Sequence, residues 1–562
     1  MKILTFTKMK IIVAAFVMFA ALCGMTAGAR GVVESPSVIP KPLEANPEKG
    51  KEWKLYGAPN IVHPATDAEL ERVANIFAAE TCKIFGRKPV VGIRQSIMKV
   101  PANIFLEIDK TLDAEEYTLE VSSSGGVVIR GGSGAGVYYG LQTLKQLLVA
   151  NADWKTTHSV LSPSFTIPAM TIRDKPSFGY RGAMLDVSRH FADKEDVKKF
   201  IDMMAMHKLN TFHWHLTDDQ GWRIQINSHP ELTSKGSVRT GTLIGHGGRP
   251  PFEYDDKPYA GCYSQDEIRE VVRYAADRYI TVIPEIEMPG HAMAALHAYP
   301  ELGCTGGPYE VWRRWGVSEE VFCAGNDDVF TLLQDVLAEV IELFPSKIIH
   351  IGGDECPKDR WKECPKCQQR MKDNDIPDEH HLQSYFVQRI ERWLNERGRT
   401  IIGWDEILEG GLSKNAIVMS WRGHDGAIAA ARAGNYAVMV PTSHAYLDYY
   451  QAKPADKEPF GIGGFLPLEK TYSLDPYEGL EPQYHKYILG VQGNLWREYV
   501  KTMDHAYYML LPRLAAIAET GWSYGRKDFD SFVERLPTMR LLYEIYGYNY
   551  GKHIWEGGGR IQ

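Results

Sequence analysis

Long apolar runs are nearly absent from this 562-residue chain. The one sustained stretch, Ile11 to Leu22, is too short to cross a bilayer comfortably, which argues against a transmembrane segment. Basic charge is in deficit: 63 Lys and Arg face 71 Asp and Glu, a formal net charge of −8. A mildly acidic chain gives no reason to expect a nucleic-acid partner. Cysteine is scarce, at 8 residues. Cys364-Pro-Lys-Cys367, with Cys356 nearby, invites a zinc reading, but the second close Cys-x-x-Cys pair is missing, so no metal is expected. Disulfides or free buried thiols fit better, and Cys304 and Cys323 flank a loop-like segment as a candidate pair. Gly131, Gly132, Gly134 and Gly136 cluster, yet neither a dinucleotide fingerprint nor a Walker lysine follows. They read as a turn and helix start, and no cofactor is expected.

What the chain does contain begins with an export pattern. Lys2, Lys8 and Lys10 precede the apolar stretch, and Ala27-Gly28-Ala29 supplies small residues at a cleavage point. Residues 1–29 therefore read as a signal peptide, and the mature protein as periplasmic or extracellular. Ala20-Ala21-Leu22 before Cys23 suits a lipoprotein site poorly, so a lipid anchor is the less favoured form. Removal of Cys23 leaves Cys82, Cys262, Cys304, Cys323, Cys356, Cys364 and Cys367, an odd set with at least one thiol unpaired in the monomer. Hydrophobic content of 44% and charged content of 24% are ordinary for a globular protein. The length points to more than one domain.

Residues 30–167 read as a small α+β domain. Ala68 to Phe85 has helical periodicity, Tyr117 to Val121 and Val127 to Ile129 alternate as strands around Ser123-Ser124-Gly125-Gly126, and Val137 to Leu148 is amphipathic. From about Phe178 the pattern becomes strand, polar tip, helix, repeated. The strand tips are Met184-Leu185-Asp186, Phe212 to His215, Val282 to Glu285, Ile349 to Gly352, Ile401 to Trp404, Val418 to Trp421, Val438 to Pro441 and Leu489 to Gln492. Helical stretches such as Lys194 to Lys208, Gln265 to Arg278 and Val329 to Phe344 lie between them. About eight such units is the count that closes a (β/α)₈ TIM barrel, an α/β fold, here over 168–562 with C-terminal helices. Active sites in that fold sit at the C-terminal ends of the strands.

Those ends are rich in acids, His and Trp. The most informative is His350-Ile351-Gly352-Gly353-Asp354-Glu355, a buried strand that stops at two glycines and delivers adjacent carboxylates. Adjacent acids in different environments allow one to ionise while the other keeps its proton. A helix start that favours acids is the plainer reading of the same residues. Trp404, Trp421, Tyr446, Asp448, Trp496 and Glu498 lie at later tips. Aromatics gathered on one barrel face favour a walled pocket over core packing, and flat aromatic faces suit the C–H patches of sugar rings.

Together with Gly179-Tyr180-Arg181-Gly182, His213 to Asp219, Met288-Pro289-Gly290-His291 and Gln492 to Trp496, that stretch resembles the family 20 glycoside hydrolases, which are exo-acting β-N-acetylhexosaminidases. The resemblance covers nearly the whole mature chain. It implies removal of terminal N-acetylglucosamine or N-acetylgalactosamine from glycans, with retention, by attack of the substrate's own acetamido oxygen. It implies Glu355 as general acid and base, Asp354 as orienter of the acetamido group and Tyr446 as donor to its carbonyl. Asp218 and His291 become a relay toward Glu355, with Asp219 an alternative to Asp218. Arg181, Asp448 and Glu498 are implied to bind sugar hydroxyls, and Trp404, Trp421 and Trp496 to wall the acetamido pocket. For Arg181 a barrel-closing salt bridge is the competing reading. Glu287 departs from the family pattern, which has Asp there in many members.

Two other classes compete. His213 and His215 lie two apart on a strand and share a face, as ligands of a metal-dependent amidohydrolase would, but no matching His and Lys set follows. A non-catalytic glycan-binding barrel is opposed by the presence of Asp354, Glu355 and Tyr446 together.

Overall fold

The computed structural model describes residues 36–93, 102–154, 163–248 and 250–556. The export pattern at 1–29 lies outside them. The chain forms two compact units: Glu44–Leu112 with Tyr117–Asp174, and Lys175 onward with Ile39–Leu43 and Asp113–Glu116.

The first unit is built on one mixed sheet. Its strand order is Glu44–Tyr56, Ser164–Asp174, Tyr117–Ser122, Gly126–Gly131, Asn103–Ile108, Asn60–His63 and Val90–Ile93. Tyr117–Ser122 shows the alternating burial of a half-covered strand, and it pairs antiparallel with Gly126–Gly131 around the predicted turn. Helices Ala68–Glu80 and Gly134–Ala150 supply apolar faces. Asp67 and Ser133 cap them by accepting from the backbone N–H groups of Leu70 and Ala135. The unit runs to Asp174 rather than 167, because Ser164–Asp174 is one continuous strand paired with Glu44–Tyr56, Tyr117–Ser122 and Ala152–Asp153.

The second unit is the expected barrel. Its strands are β1 (Tyr180–Asp186), β2 (Thr211–His215), β3 (Thr281–Met288), β4 (Ile348–Gly352), β5 (Thr400–Trp404), β6 (Ile417–Ser420), β7 (Ala437–Met439) and β8 (Ile488–Leu495). All pair in parallel, and β8 closes on β1. The strands are buried almost throughout, as parallel strands covered on both faces must be. Helices Lys194–Met206, Gln265–Ala276, Asp327–Leu343, Glu379–Asn395 and Asp425–Ala433 follow β1, β2, β3, β4 and β6. Four of them start at side-chain caps, Asp193, Ser264, Asn326 and Asp378, with a full capping box between Ser264 and Glu267. After β5 the chain makes only a short 3₁₀ turn, Asp405–Leu408. Among the described residues no helix is long and apolar enough to cross a membrane.

Alternation along β2 sends Phe212 and Trp214 to one side and His213 and His215 to the other. Phe212 meets Phe200 of the first helix at 5.5 Å. His213 faces the lumen, where its Nδ1 lies 3.0 Å from Gln492 Nε2, and Gln492 Oε1 accepts from the Tyr180 hydroxyl at 2.7 Å. The lumen is thus a hydrogen-bonded polar stack.

Candidate active site

The turn after β4 holds three residues in left-handed backbone. Gly352 and Gly353 have φ of 67° and 93°, and Glu355 follows at 43°. At Gly352 packing also excludes a side chain: a Cβ there would fall 1.7 Å from Glu287 Oε2. A non-glycine residue at positive φ is unusual and clusters at functional sites. His291, after β3, has a φ of 50°. The turn leaves Asp354 buried while the Glu355 side chain is 42% exposed.

One imidazole joins the two acids. His291 Nε2 lies 3.5 Å from Glu355 Oε2 and 3.6 Å from Asp354 Oδ2. Its Nδ1 is 3.1 Å from Asp218 Oδ1 and 3.2 Å from Asp219 Oδ2, so both candidate aspartates touch it. Asp219 also accepts from the backbone N–H of Met293 at 3.0 Å, which fixes the loop that carries His291. Behind Asp218 the chain of charge continues: His215 Nε2 is 2.9 Å from Asp218 Oδ2, and His215 Nδ1 is 2.5 Å from Glu285 Oε2. Glu285 is buried at the barrel centre, where His213 Nε2 at 2.8 Å, His350 Nδ1 at 2.9 Å and Trp404 Nε1 at 2.8 Å also meet it. His213 and His215 therefore share a face, as predicted, but each spends a nitrogen on this carboxylate.

The electrostatics follow from that wiring. Burial opposes charge on His291, yet Asp218 and Asp354 raise its pKa well above the usual imidazole range. Burial works to raise the Asp218 carboxyl too, but Arg189 and His291 hold it well below normal. Burial pushes Asp354 up to about 6. The His291 hydrogen bond holds Glu355 below its ordinary value. In the ligand-free site the exposed acid is thus the more readily ionised of the two, the reverse of what a general acid needs before substrate covers it. Glu287 is buried with no hydrogen-bond partner on either oxygen, and burial followed by Asp354 raises its pKa far above normal. Burial and Asp354 thus favour its protonated form.

An aromatic wall stands beside the acids. Trp404 and Trp496 lie 5.7 Å apart between ring centres, Trp421 stacks on Tyr446 at 6.1 Å, and Tyr446 approaches Trp496 at 6.5 Å. Trp421 Nε1 donates to Glu406 at 2.9 Å. Burial, with Asp354 next, raises Glu406 to about 8. Burial likewise raises Asp448 well above the carboxylate range, and its Oδ1 has no partner. Glu498 is partly exposed at the same end, 3.8 Å from Arg189.

Arg181 is not there. It is the second residue of β1, at the opposite end of the barrel. Its guanidinium donates to Glu115 at 3.0 and 2.9 Å and to the carbonyls of Lys208 and Phe178, with no exposed surface. Sugar binding by Arg181 is therefore corrected to a barrel-closing ion pair. The guanidinium at the correct end belongs to Arg189, just past β1. It lies 2.7 Å from Asp218, donates through Nε to Gln220 Oε1 at 2.8 Å and sits 5.0 Å over the Trp496 ring. Its signal was available in the sequence: Asp186-Val187-Ser188-Arg189 follows the β1 tip directly. Glu285, His215 and Glu406 were likewise given no role in sugar cleavage: His215 ends β2, Glu285 lies within β3 and Glu406 lies in the turn after β5. A separate hollow near Ser177, Phe178, Tyr180 and Tyr477 opens at the Arg181 end. It lacks any carboxylate to act as an acid.

The cysteines also fall out differently from their spacing. Cys356 lies apart from Cys364 and Cys367, which instead meet Cys304 and Cys323. None of the seven described cysteines is joined in a disulfide.

Residues 178–524 match the sequence profile of glycosyl hydrolase family 20, catalytic domain, and residues 35–175 match its domain 2. The chain belongs to glycosyl hydrolase family 20. A β-hexosaminidase of Porphyromonas gingivalis is 50% identical over 452 residues, which are 80% of this chain and 56% of that protein. The chain thus spans little more than half of that relative. A β-hexosaminidase of Akkermansia muciniphila is 34% identical over 80% of this chain and 87% of its own length. Among solved structures, a family 20 exo-β-N-acetylglucosaminidase of Vibrio harveyi in complex with N-acetylglucosamine superposes with a TM-score of 0.80 at 31% identity. The match covers 93% of this chain and 79% of that one. The β-N-acetylhexosaminidase of Bacteroides fragilis gives 0.75 at 31% identity, covering 93% and 99%.

Proposed function

We propose that this family 20 member is an exported, exo-acting, retaining β-N-acetylhexosaminidase that works by substrate-assisted catalysis. One observation carries the reading: a buried and an exposed carboxylate, Asp354 and Glu355, share one imidazole beside a wall of Trp404, Trp421, Tyr446 and Trp496.

In the first step Glu355 gives its proton to the glycosidic oxygen as the bond to the anomeric carbon breaks. The acetamido carbonyl oxygen forms the new bond to that carbon, and positive charge moves onto the amide nitrogen. Asp354, ionised, accepts the amide N–H and offsets that charge. The Tyr446 hydroxyl donates to the carbonyl oxygen and aligns it. In the second step the Glu355 carboxylate takes a proton from water, whose oxygen attacks the anomeric carbon and returns the amide. Two inversions give retention, and the protein contributes no nucleophile. An arriving sugar covers Glu355, and loss of water raises its pKa toward that of an acid catalyst. Arg189 replaces Arg181 as the fork for ring hydroxyls, with Asp448 and Glu498 beside it. The N-terminal charge and cleavage pattern supports the export.

The test is a thiazoline mimic of the cyclic intermediate, assayed against release of nitrophenol from an N-acetyl-β-glucosaminide. Strong competitive inhibition supports the reading; indifference points to a protein nucleophile.

A further inference from the structure

Four cysteines from two loops converge beside the catalytic turn. Cys304 and Cys323 lie in the segment after β3, and Cys364 and Cys367 in the segment after β4. The sulfur separations are 3.9 Å for Cys304–Cys367, 3.7 Å for Cys323–Cys364 and 3.6 Å for Cys323–Cys367, and all four atoms lie within 4.8 Å of one another. A tetrahedron with zinc–sulfur bonds of ~2.3 Å has edges of about 3.8 Å. A disulfide requires about 2.05 Å, and every measured pair is too far apart for one. Cys323 and Cys367 are almost fully enclosed and Cys364 nearly so.

The backbone is shaped to hold the cluster. Cys364 ends one short helix and caps the next, Pro365–Asp373, so Cys364 and Cys367 project from a single turn. On the facing loop, the backbone N–H of Gly325 donates to the Cys323 sulfur. Gly325 packs directly on the other knuckle: a Cβ there would lie 2.2 Å from the Lys366 carbonyl carbon and 2.4 Å from the Cys367 nitrogen. Trp361, fully buried, donates to the Phe322 carbonyl at 2.9 Å, and a bridge between Gly303 and Phe322 brings Cys304 and Cys323 together.

We propose that Cys304, Cys323, Cys364 and Cys367 bind one structural zinc ion as thiolates, and that this ion clamps the loop bearing His291 to the loop bearing Asp354 and Glu355. Four thiolates in closed tetrahedral array suit zinc and leave no open position for chemistry. Binding releases the thiol protons to solvent and involves no redox change. It also withholds the sulfurs from oxidation, which an exported protein otherwise faces. The pattern escaped the sequence because one pair of ligands is a close Cys-x-x-Cys and the other is spread from 304 to 323.

The test is elemental analysis of the full chain, purified without chelator or affinity metal, with native thiol titration and intact mass. The expected result is one zinc per chain, with the four thiols reacting only after chelation. Cys364→Ser with Cys367→Ser should abolish the zinc. Cobalt exchanged for zinc should show the intense bands of tetrahedral thiolate coordination. The metal-free variant should lose kcat with little change in KM, by up to about a hundredfold if the loops part by about an ångström. Absence of metal with four freely reactive thiols, a mass lower by the hydrogens of one or two disulfides, or iron in place of zinc would each overturn the assignment. A metal-free variant with unchanged kcat would overturn the clamp.

Discussion

His291 is the cation that sets the protonation of the catalytic pair, and His291→Gln removes it. The imidazole nitrogen lies 3.5 Å from Glu355 and 3.6 Å from Asp354. At 3.5 Å a unit charge is worth about 5 kcal/mol at an effective dielectric of about 20 and about 1 kcal/mol at that of water. Asp354, with 11% of its side chain exposed, sits nearer the first limit, and Glu355, at 42%, nearer the second. With about 1.36 kcal/mol per pKa unit, the proton shared by the pair should be held about 1 to 4 units more tightly in the variant. The assay is kcat/KM for a disaccharide with a poor leaving group, diacetylchitobiose, across the pH range. In the native enzyme kcat/KM should fall as pH rises past about 6, where Asp354 titrates and the pair loses its single proton. In His291→Gln that limb should move upward, with a lower plateau. The limb for kcat should lie above that for kcat/KM in the native enzyme, because bound sugar desolvates Glu355. If the variant kept the native limb and changed only its KM, His291 would be a packing residue and the electrostatic reasoning would fail.

Glu355→Gln should lower kcat on poor leaving groups by ~10²–10⁴-fold and spare activated aryl glycosides more, which parallel assays on both substrate types will show. Arg189→Met should raise KM and lower kcat, and should also lower Tm, because it strips buried Asp218 of its partner at 2.7 Å. Arg181→Met should lower Tm and leave KM and kcat unchanged, since it deletes the ion pair with partly exposed Glu115 far from the acids, at a cost below the about 3–5 kcal/mol of a fully buried pair; kinetics of both variants separate the two roles. Glu287 has a raised folded-state pKa, so the native protein loses stability as pH rises through the unfolded carboxylate value of about 4.3. Glu287→Gln should therefore match the native protein in acid and become progressively more stable than it toward neutral pH, as denaturant unfolding at a series of pH values will report. Gly352→Ala should destabilise by at least about 1–3 kcal/mol from backbone strain alone, and Glu287→Ala in the same chain should recover the part due to the clash at 1.7 Å.

The barrel was legible because its strands announce themselves twice, as apolar runs and as polar tips at regular spacing. β4 through Glu355 is the plainest case, since two glycines and two acids leave little else for the chain to do there. Arg181 failed for a physical reason. A residue on a parallel strand can belong to either end of the barrel, and Arg181 and Asp186 are on the same strand at opposite ends. Residues toward the C-terminal end of a strand or beyond it can reach the site, and Arg189 is one of them. The order of ionisation of Asp354 and Glu355 was also hidden, because it depends on His291 approaching from another loop. Cys304 and Cys323 are remote in sequence from Cys364 and Cys367 and meet only in three dimensions.

The most direct measurement of whether the sugar's own amide attacks is kcat/KM across aryl glycosides whose N-acetyl group carries none, one, two or three fluorines. Each fluorine weakens the carbonyl oxygen as a nucleophile while leaving the leaving group unchanged. A steep, monotonic fall along the series is predicted. Equal rates across it, or comparable hydrolysis of the glucoside that lacks the amide, would contradict substrate-assisted attack.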